Sequence, residues 1–218
     1  MKKTVTFFLI SMALMLGISS KAQPLQLTIS DEIDTNNMIP FNWEYLGDCT
    51  HHSQIIYPAS EISPLLIGAE ITKAIFYLSS NIGRVPQKPQ LAMKMMNTTE
   101  TIVPNELIDV LAATTVCSGV LSVSGNQLIF NFKAPFVYTG DNLLIDFTIT
   151  IIKNSTYQTN SFYGKNTTVY YNSRLHLFKM ISDSTVNFGE AFVPKLTVEY
   201  IPSIPLERGF DSRRLHKT

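Results

Sequence analysis

The densest set of side chains able to do chemistry is Asp48-Cys49-Thr50-His51-His52. Imidazole, thiolate and carboxylate are zinc donors, but zinc needs them converging tetrahedrally, and adjacent histidines on an extended chain point to opposite faces. His176 is the only further histidine in the folded region, so His51 and His52 read as ordinary loop histidines. A second set, Asp31, Glu32 and Asp34 with Asn36 and Asn37, supplies hard oxygens of the kind calcium gathers about six to eight at a time. It lacks the spacing of a standard calcium loop. A structural calcium fastening the start of the domain is the one cofactor it suggests, against the plainer reading of acids kept for solubility.

Hydrolysis would need either a nucleophile with a base and an orienting group, or two facing carboxylates. No glycine-flanked serine elbow is present. Glu44, Asp48, Glu61, Asp141, Asp146 and Glu190 are available, yet nothing in their spacing pairs them. The expectation is no enzyme, with a secreted hydrolase as the lesser alternative.

The aromatic residues point elsewhere. Trp43 and Tyr45 fall on one face of a short extended stretch, and Tyr157, Phe162, Tyr163, Tyr170 and Tyr171 sit among asparagines and threonines. Flat rings stack on the apolar faces of sugars while amides and hydroxyls bond their oxygens. Trp43, Tyr45, Tyr157 and Tyr163 are therefore the candidate ligand-binding residues, with edge packing in strands as the competing explanation. Cys49 and Cys117, the only cysteines, could close a disulfide in an oxidising compartment, or remain two buried thiols. Asn97, Asn154 and Asn166 head N-glycosylation triplets that a bacterial source would leave inert. Ser184, in Asp183-Ser184-Thr185, matches a short O-glycosylation motif.

The elements that must position these residues are strands. Leu128, Phe130 and Phe132 alternate with polar neighbours, as do Leu143, Ile145, Phe147, Ile149 and Ile151, then Leu91, Met93 and Met95, and finally Leu196, Val198 and Tyr200. Period-2 alternation of this kind marks half-solvated strands. The stripe from Leu143 to Ile151 reads as the longest and most central strand. Turn signals at Gly125-Asn126, Thr139-Gly140-Asp141-Asn142 and Asn81-Ile82-Gly83 separate the stripes. About ten to twelve strands at such intervals predict an all-β fold, a single-domain antiparallel β-sandwich of jelly-roll type. Pro104 to Leu111, with Asn105 as a cap, is the only stretch that could hold a helical turn, and a loop fits it as well.

Residues 1–22 carry Lys2 and Lys3, an apolar run from Phe7 to Ile18, and small residues at Ser20 and Ala22, the pattern of a secretory signal peptide. The apolar run is too short for the ~20 residues of a membrane span, and no later stretch qualifies. Without its leader, the chain keeps 14 basic residues against 17 acidic ones, a balance of about −3 that gives no electrostatic reason to expect nucleic acid. The remainder divides into a sandwich over 23–201 and a flexible basic tail over 202–218, where Pro202 and Pro205 precede Arg208, Arg213, Arg214 and Lys217.

Three segments also carry a resemblance. Ile29 to Phe41, His52 to Ile62 and Ile71 to Tyr77 are similar to the opening of a jelly-roll-like β-sandwich module that recurs in exported and surface proteins of oral and gut anaerobic Gram-negative bacteria. Pro135 to Ile145 resembles its middle signature and Val193 to Tyr200 its closing strand, so the likeness spans about residues 27 to 201. It implies a non-catalytic adhesive or glycan-binding domain of the type attached to adhesins and proteases. Related chains continue into further modules and a sorting domain, whereas this one stops soon after the closing strand, which keeps the periplasm beside the cell surface as an expected location. The overall expectation is a secreted binding or adhesion module for a glycan or an extracellular or envelope protein. A structural or assembly component of the cell envelope is the alternative.

Overall fold

The computed structural model describes residues 23–37, 39–40, 49–80, 90–119, 122–151, 161–168, 173–179 and 185–203. Among them the chain forms fourteen strands and one helical turn. The leader, Trp43, Tyr45, Tyr157, Ser184 and the tail beyond residue 203 lie outside the described residues.

The predicted alternation becomes two large antiparallel sheets. One has five strands in the order β1 (Leu25–Ile29), β14 (Leu196–Ile201), β4 (Glu70–Tyr77), β8 (Gln127–Val137) and β7 (Ser122–Ser124). The other has six, in the order β12 (Thr185–Glu190), β11 (Ser173–Lys179), β3 (Cys49–Tyr57), β9 (Asn142–Ile151), β5 (Gln90–Thr98) and β6 (Thr114–Gly119). A third, small sheet joins β13 (Phe192–Pro194), β10 (Phe162–Asn166) and β2 (Asp34–Asn36). The all-β sandwich expectation is met, and the small sheet is an addition to it. The strand from Leu143 is interior in its sheet as expected, but β8 is one residue longer, at 11 against 10. Pro135 explains the misjudgement: the β4–β8 ladder breaks between Ile71 and Lys73, and a proline without a donor is tolerated where pairing is interrupted.

One apolar cluster fills the space between the large sheets. Ile55, Tyr57, Leu91, Met93, Met95, Leu143, Ile145, Phe147 and Ile149 enter it from the six-stranded side; Ile71, Ala74, Phe76, Leu128, Phe130, Leu196 and Val198 enter from the five-stranded side. Phe147 bridges the two, with its ring centroid 5.4 Å from Phe76 and 5.5 Å from Phe130, tilted or edge-on as aromatic quadrupoles prefer. The buried Tyr57 hydroxyl donates to the Pro194 carbonyl at 2.9 Å, tying β3 to β13. Gly164 lies opposite Pro194 where β10 pairs with β13, and a Cβ there would sit 2.3 Å from the Val193 carbonyl oxygen, so no larger residue fits.

Two local readings change. The helical turn is α1, Ala59–Ile62, directly after Pro58 ends β3, whereas Pro104 to Leu111 is loop. His51 and His52 are not loop residues; both belong to β3.

Candidate functional site

The consequence of that strand is a strict division of labour. His51 faces the core at 1% exposure, and burial lowers its pKa to about 4 by penalising the imidazolium. His52 turns to the outer face of the six-stranded sheet, with its side chain 27% exposed. The two histidines cannot share a metal, as their adjacency on an extended chain requires.

On that outer face β3 presents Thr50, His52, Gln54 and Ile56 in succession, and β9 presents Thr150, Thr148, Asp146 and Leu144 directly opposite them. β5 continues each row with Gln90, Ala92, Lys94 and Met96. The face is thus polar at one end and apolar at the other. The apolar end, Ile56, Leu144 and Met96, is covered by the segment between β5 and β6, whose Val103, Leu107, Ile108 and Val110 close a second small core. The strap stops short of the polar end, which is open among the described residues, and there Thr50, His52, Thr148 and Thr150 are half-buried.

Gln54 and Asp146 lie at the seam, and both are buried on a face where alternation predicts solvent: 0% and 2% exposed. Their polar atoms are satisfied by partners. The Gln54 Oε1 accepts from the Ile108 N–H at 2.8 Å, and its Nε2 donates to the Ile108 carbonyl at 2.8 Å and to Asp146 Oδ2 at 2.9 Å. The same Oδ2 lies 2.6 Å from His52 Nε2. Buried charge is tolerated when hydrogen-bonded in this way. A connected line of bonds therefore runs from the strap backbone to an exposed imidazole. The Thr50 and Thr150 hydroxyls complete the open end, 3.1 Å apart.

The sequence-predicted residues fare differently. Asp31, Glu32 and Asp34 do not converge: Asp31 pairs with Lys195, Glu32 with Lys165 at 3.5 Å, and Asp34 Oδ2 accepts from the Asn166 N–H at 3.0 Å. Among the described residues no group of three histidine, cysteine or acidic side chains is placed to hold a metal. Lys165 also reaches Glu61 at 3.4 Å, and the two carboxylates raise its pKa. Tyr163, on β10, is half-buried with its hydroxyl donating to the Ser79 carbonyl at 3.4 Å. Its neighbour Phe162 is a core residue at 0% exposure and belongs to no surface platform. Glu61 and Asp146 serve different partners, Ser30 and Lys165 for the first, His52 and Gln54 for the second.

The disulfide expectation is corrected. Cys117 carries a free thiol. Cys49 is on β3 and Cys117 on β6, with β9 and β5 between them, so three strand spacings of about 4.8 Å separate them, beyond the ~7 Å Cα limit for a bridge. Burial pushes the Cys117 thiol up, an effect partly offset by Lys133. Asn97 is also engaged in structure: its amide donates to the Val137 carbonyl at 3.1 Å and accepts from the Thr139 N–H at 3.0 Å.

The set His52, Gln54 and Asp146 escaped the sequence reading because it is assembled by register from strands about 90 residues apart. A signal was present: Ile56, Leu144 and Met96 are apolar positions on otherwise polar faces of three strands. Such a switch within a strand marks a face covered along only part of its length.

No protein-family model matches this chain, and neither a curated protein nor a solved structure does. Nothing in those comparisons links the chain to a particular surface-protein module. Among the described residues no helix is long and apolar enough to cross a membrane.

Proposed function

We propose that the protein is an exported, non-catalytic binding module that offers the open half of its six-stranded sheet to a glycan or to an extracellular or envelope protein. The leader sequence supports export. The observation that carries the binding role is the open end itself: Thr50, His52, Thr148 and Thr150 stand side by side as hydrogen-bonding groups on two paired strands, backed by a packed core. Groups held on rigid strands lose little freedom when a ligand docks, which favours recognition.

The test is binding of the purified protein to an oligosaccharide array and to isolated envelope proteins, repeated with Thr148→Arg and with Thr50→Arg. These place a long charged side chain on the open face without touching the core. Binding lost in folded variants supports this surface; unchanged binding moves the site elsewhere, and no binding by any form removes the module reading.

A second reading, assembly within the envelope, draws on β1. Among the described residues this strand pairs only with β14, it carries no charge, and Leu25 at its start is 48% exposed. An uncharged edge can pair with another chain. Concentration-dependent sedimentation that Leu25→Lys abolishes would favour assembly, and a monomer at all concentrations would exclude it.

A further inference from the structure

The hydrogen bonds at the seam have a fixed polarity, and that polarity reaches the ligand face. A backbone N–H can only donate, so the Ile108 amide settles which end of the Gln54 carboxamide faces it: Oε1 accepts there. Nε2 is then the remaining end, and it donates to Asp146 Oδ2. A carboxylate oxygen that already accepts from Gln54 accepts again from its second neighbour, so His52 Nε2 carries the hydrogen. A neutral imidazole has one N–H. In that neutral form its Nδ1 is a bare acceptor.

We infer that Gln54 and Asp146 hold His52 in the Nε2–H tautomer, and that its Nδ1 accepts a hydrogen bond from a hydroxyl of a neutral glycan on the open half of the sheet. This rests on the binding role proposed above and names the ligand chemistry. The neighbours favour a polyol. Thr148 lies directly opposite His52 on β9, and Thr50 and Thr150 form the adjoining row, so on that side the ring adjoins hydroxyls that both donate and accept; on its other side β11 places His176 opposite His52 and Phe178 opposite Thr50. An ammonium ligand would call for an exposed carboxylate, and the one carboxylate in these rows, Asp146, is 2% exposed and already bonded to His52 and Gln54. Asp146 and Gln54 are positioning residues: they act on the ligand through the imidazole.

Two measurements test this separately. Two-bond proton–nitrogen NMR of protein carrying labelled histidine, recorded at pH 8 and assigned against His52→Gln, reads which ring nitrogen holds the hydrogen. The expected result is Nε2–H for His52; the opposite tautomer, or an even mixture, overturns the relay. Binding is then read on an array of neutral oligosaccharides beside their O-methylated counterparts, which keep the ring oxygens but lose the hydroxyl donors. His52→Gln retains a donor for Asp146 but not the acceptor at the Nδ1 position, so a folded variant should bind at least about tenfold more weakly, the worth of one well-placed hydrogen bond. Methylated probes should be lost to a similar degree. Equal binding by His52→Gln, or equal binding of methylated probes, overturns the assignment of Nδ1 while leaving a binding module with its site elsewhere. If no oligosaccharide binds while the tautomer is Nε2–H, the glycan assignment fails and the relay stands as structure; the binding role itself fails only if the envelope proteins do not bind either.

Discussion

The two halves of the outer face of the six-stranded sheet are built from the same three strands and differ in what lies over them. Under the strap, Ile56 and Leu144 are fully buried and Met96 packs against Val103, Leu107, Ile108 and Val110. Two residues further along lie the buried Gln54 and Asp146, and only from four residues on, at His52 and Thr148, are the threonines and His52 half-buried. The strand backbone is continuous through both halves, so the difference comes from a loop that arrives between β5 and β6. A sheet face becomes core or binding surface according to its cover. Where the cover ends, the polar groups trapped beneath it must be satisfied, and Gln54 and Asp146 do this with the strap's own backbone and with His52.

Substitutions in the two halves sharpen the contrast. The largest expected effect is Leu144→Ala, which empties a filled site under the strap and should cost about 2–5 kcal/mol in urea unfolding; a loss below about 0.5 kcal/mol would mean that the strap contributes no core. Next is pH. His51 ionises near its ordinary value of 6.5 when unfolded but only at about 4 in the fold, so the unfolded chain binds more protons between those values. Its contribution is fully present above pH 6.5 and falls by about 3 kcal/mol by pH 4. His51→Leu should flatten that slope, which denaturation midpoints across the range would measure. Gln54→Leu removes both bonds to Ile108 and one to Asp146. Its expected cost is about 1–3 kcal/mol, with faster amide exchange along residues 101–113 as the readout. The smallest effect is Thr148→Ala on the open half, within about 0.5 kcal/mol of the native stability. If it instead matched Leu144→Ala, the open half would be core as well.

Much of this architecture was legible in the alternation. The stripes at Leu91, Leu128, Leu143 and Leu196 each became a strand with those residues inward, because burying one face of a pleated strand requires a period of two. Gly125-Asn126 became the β7–β8 turn, with Gly125 at a φ of 59°. Pro58 ended β3 for want of a donor. The site was less legible. Asp146 read as one polar residue among several on β9, and nothing local distinguishes it from Thr148. For Cys49 and Cys117 a disulfide and two separate thiols both stayed open, because the sequence says nothing of how many strands lie between them. Asp31, Glu32 and Asp34 offered a cation site beside the plainer reading of solubility acids, and the sequence could not show that Lys165 and Lys195 pair with two of them from the opposite end of the chain.

By itself the sequence determined the four main strand stripes, which of their residues would turn inward and several of the turns that end them, since these follow from steric preferences and hydrophobic period within a few residues. Only the tertiary structure decided that Gln54 and Asp146 would be buried and His52 half-buried beside them. Their environment is made by β3, β9 and the strap together, and the register that aligns three distant segments is a property of the packed whole.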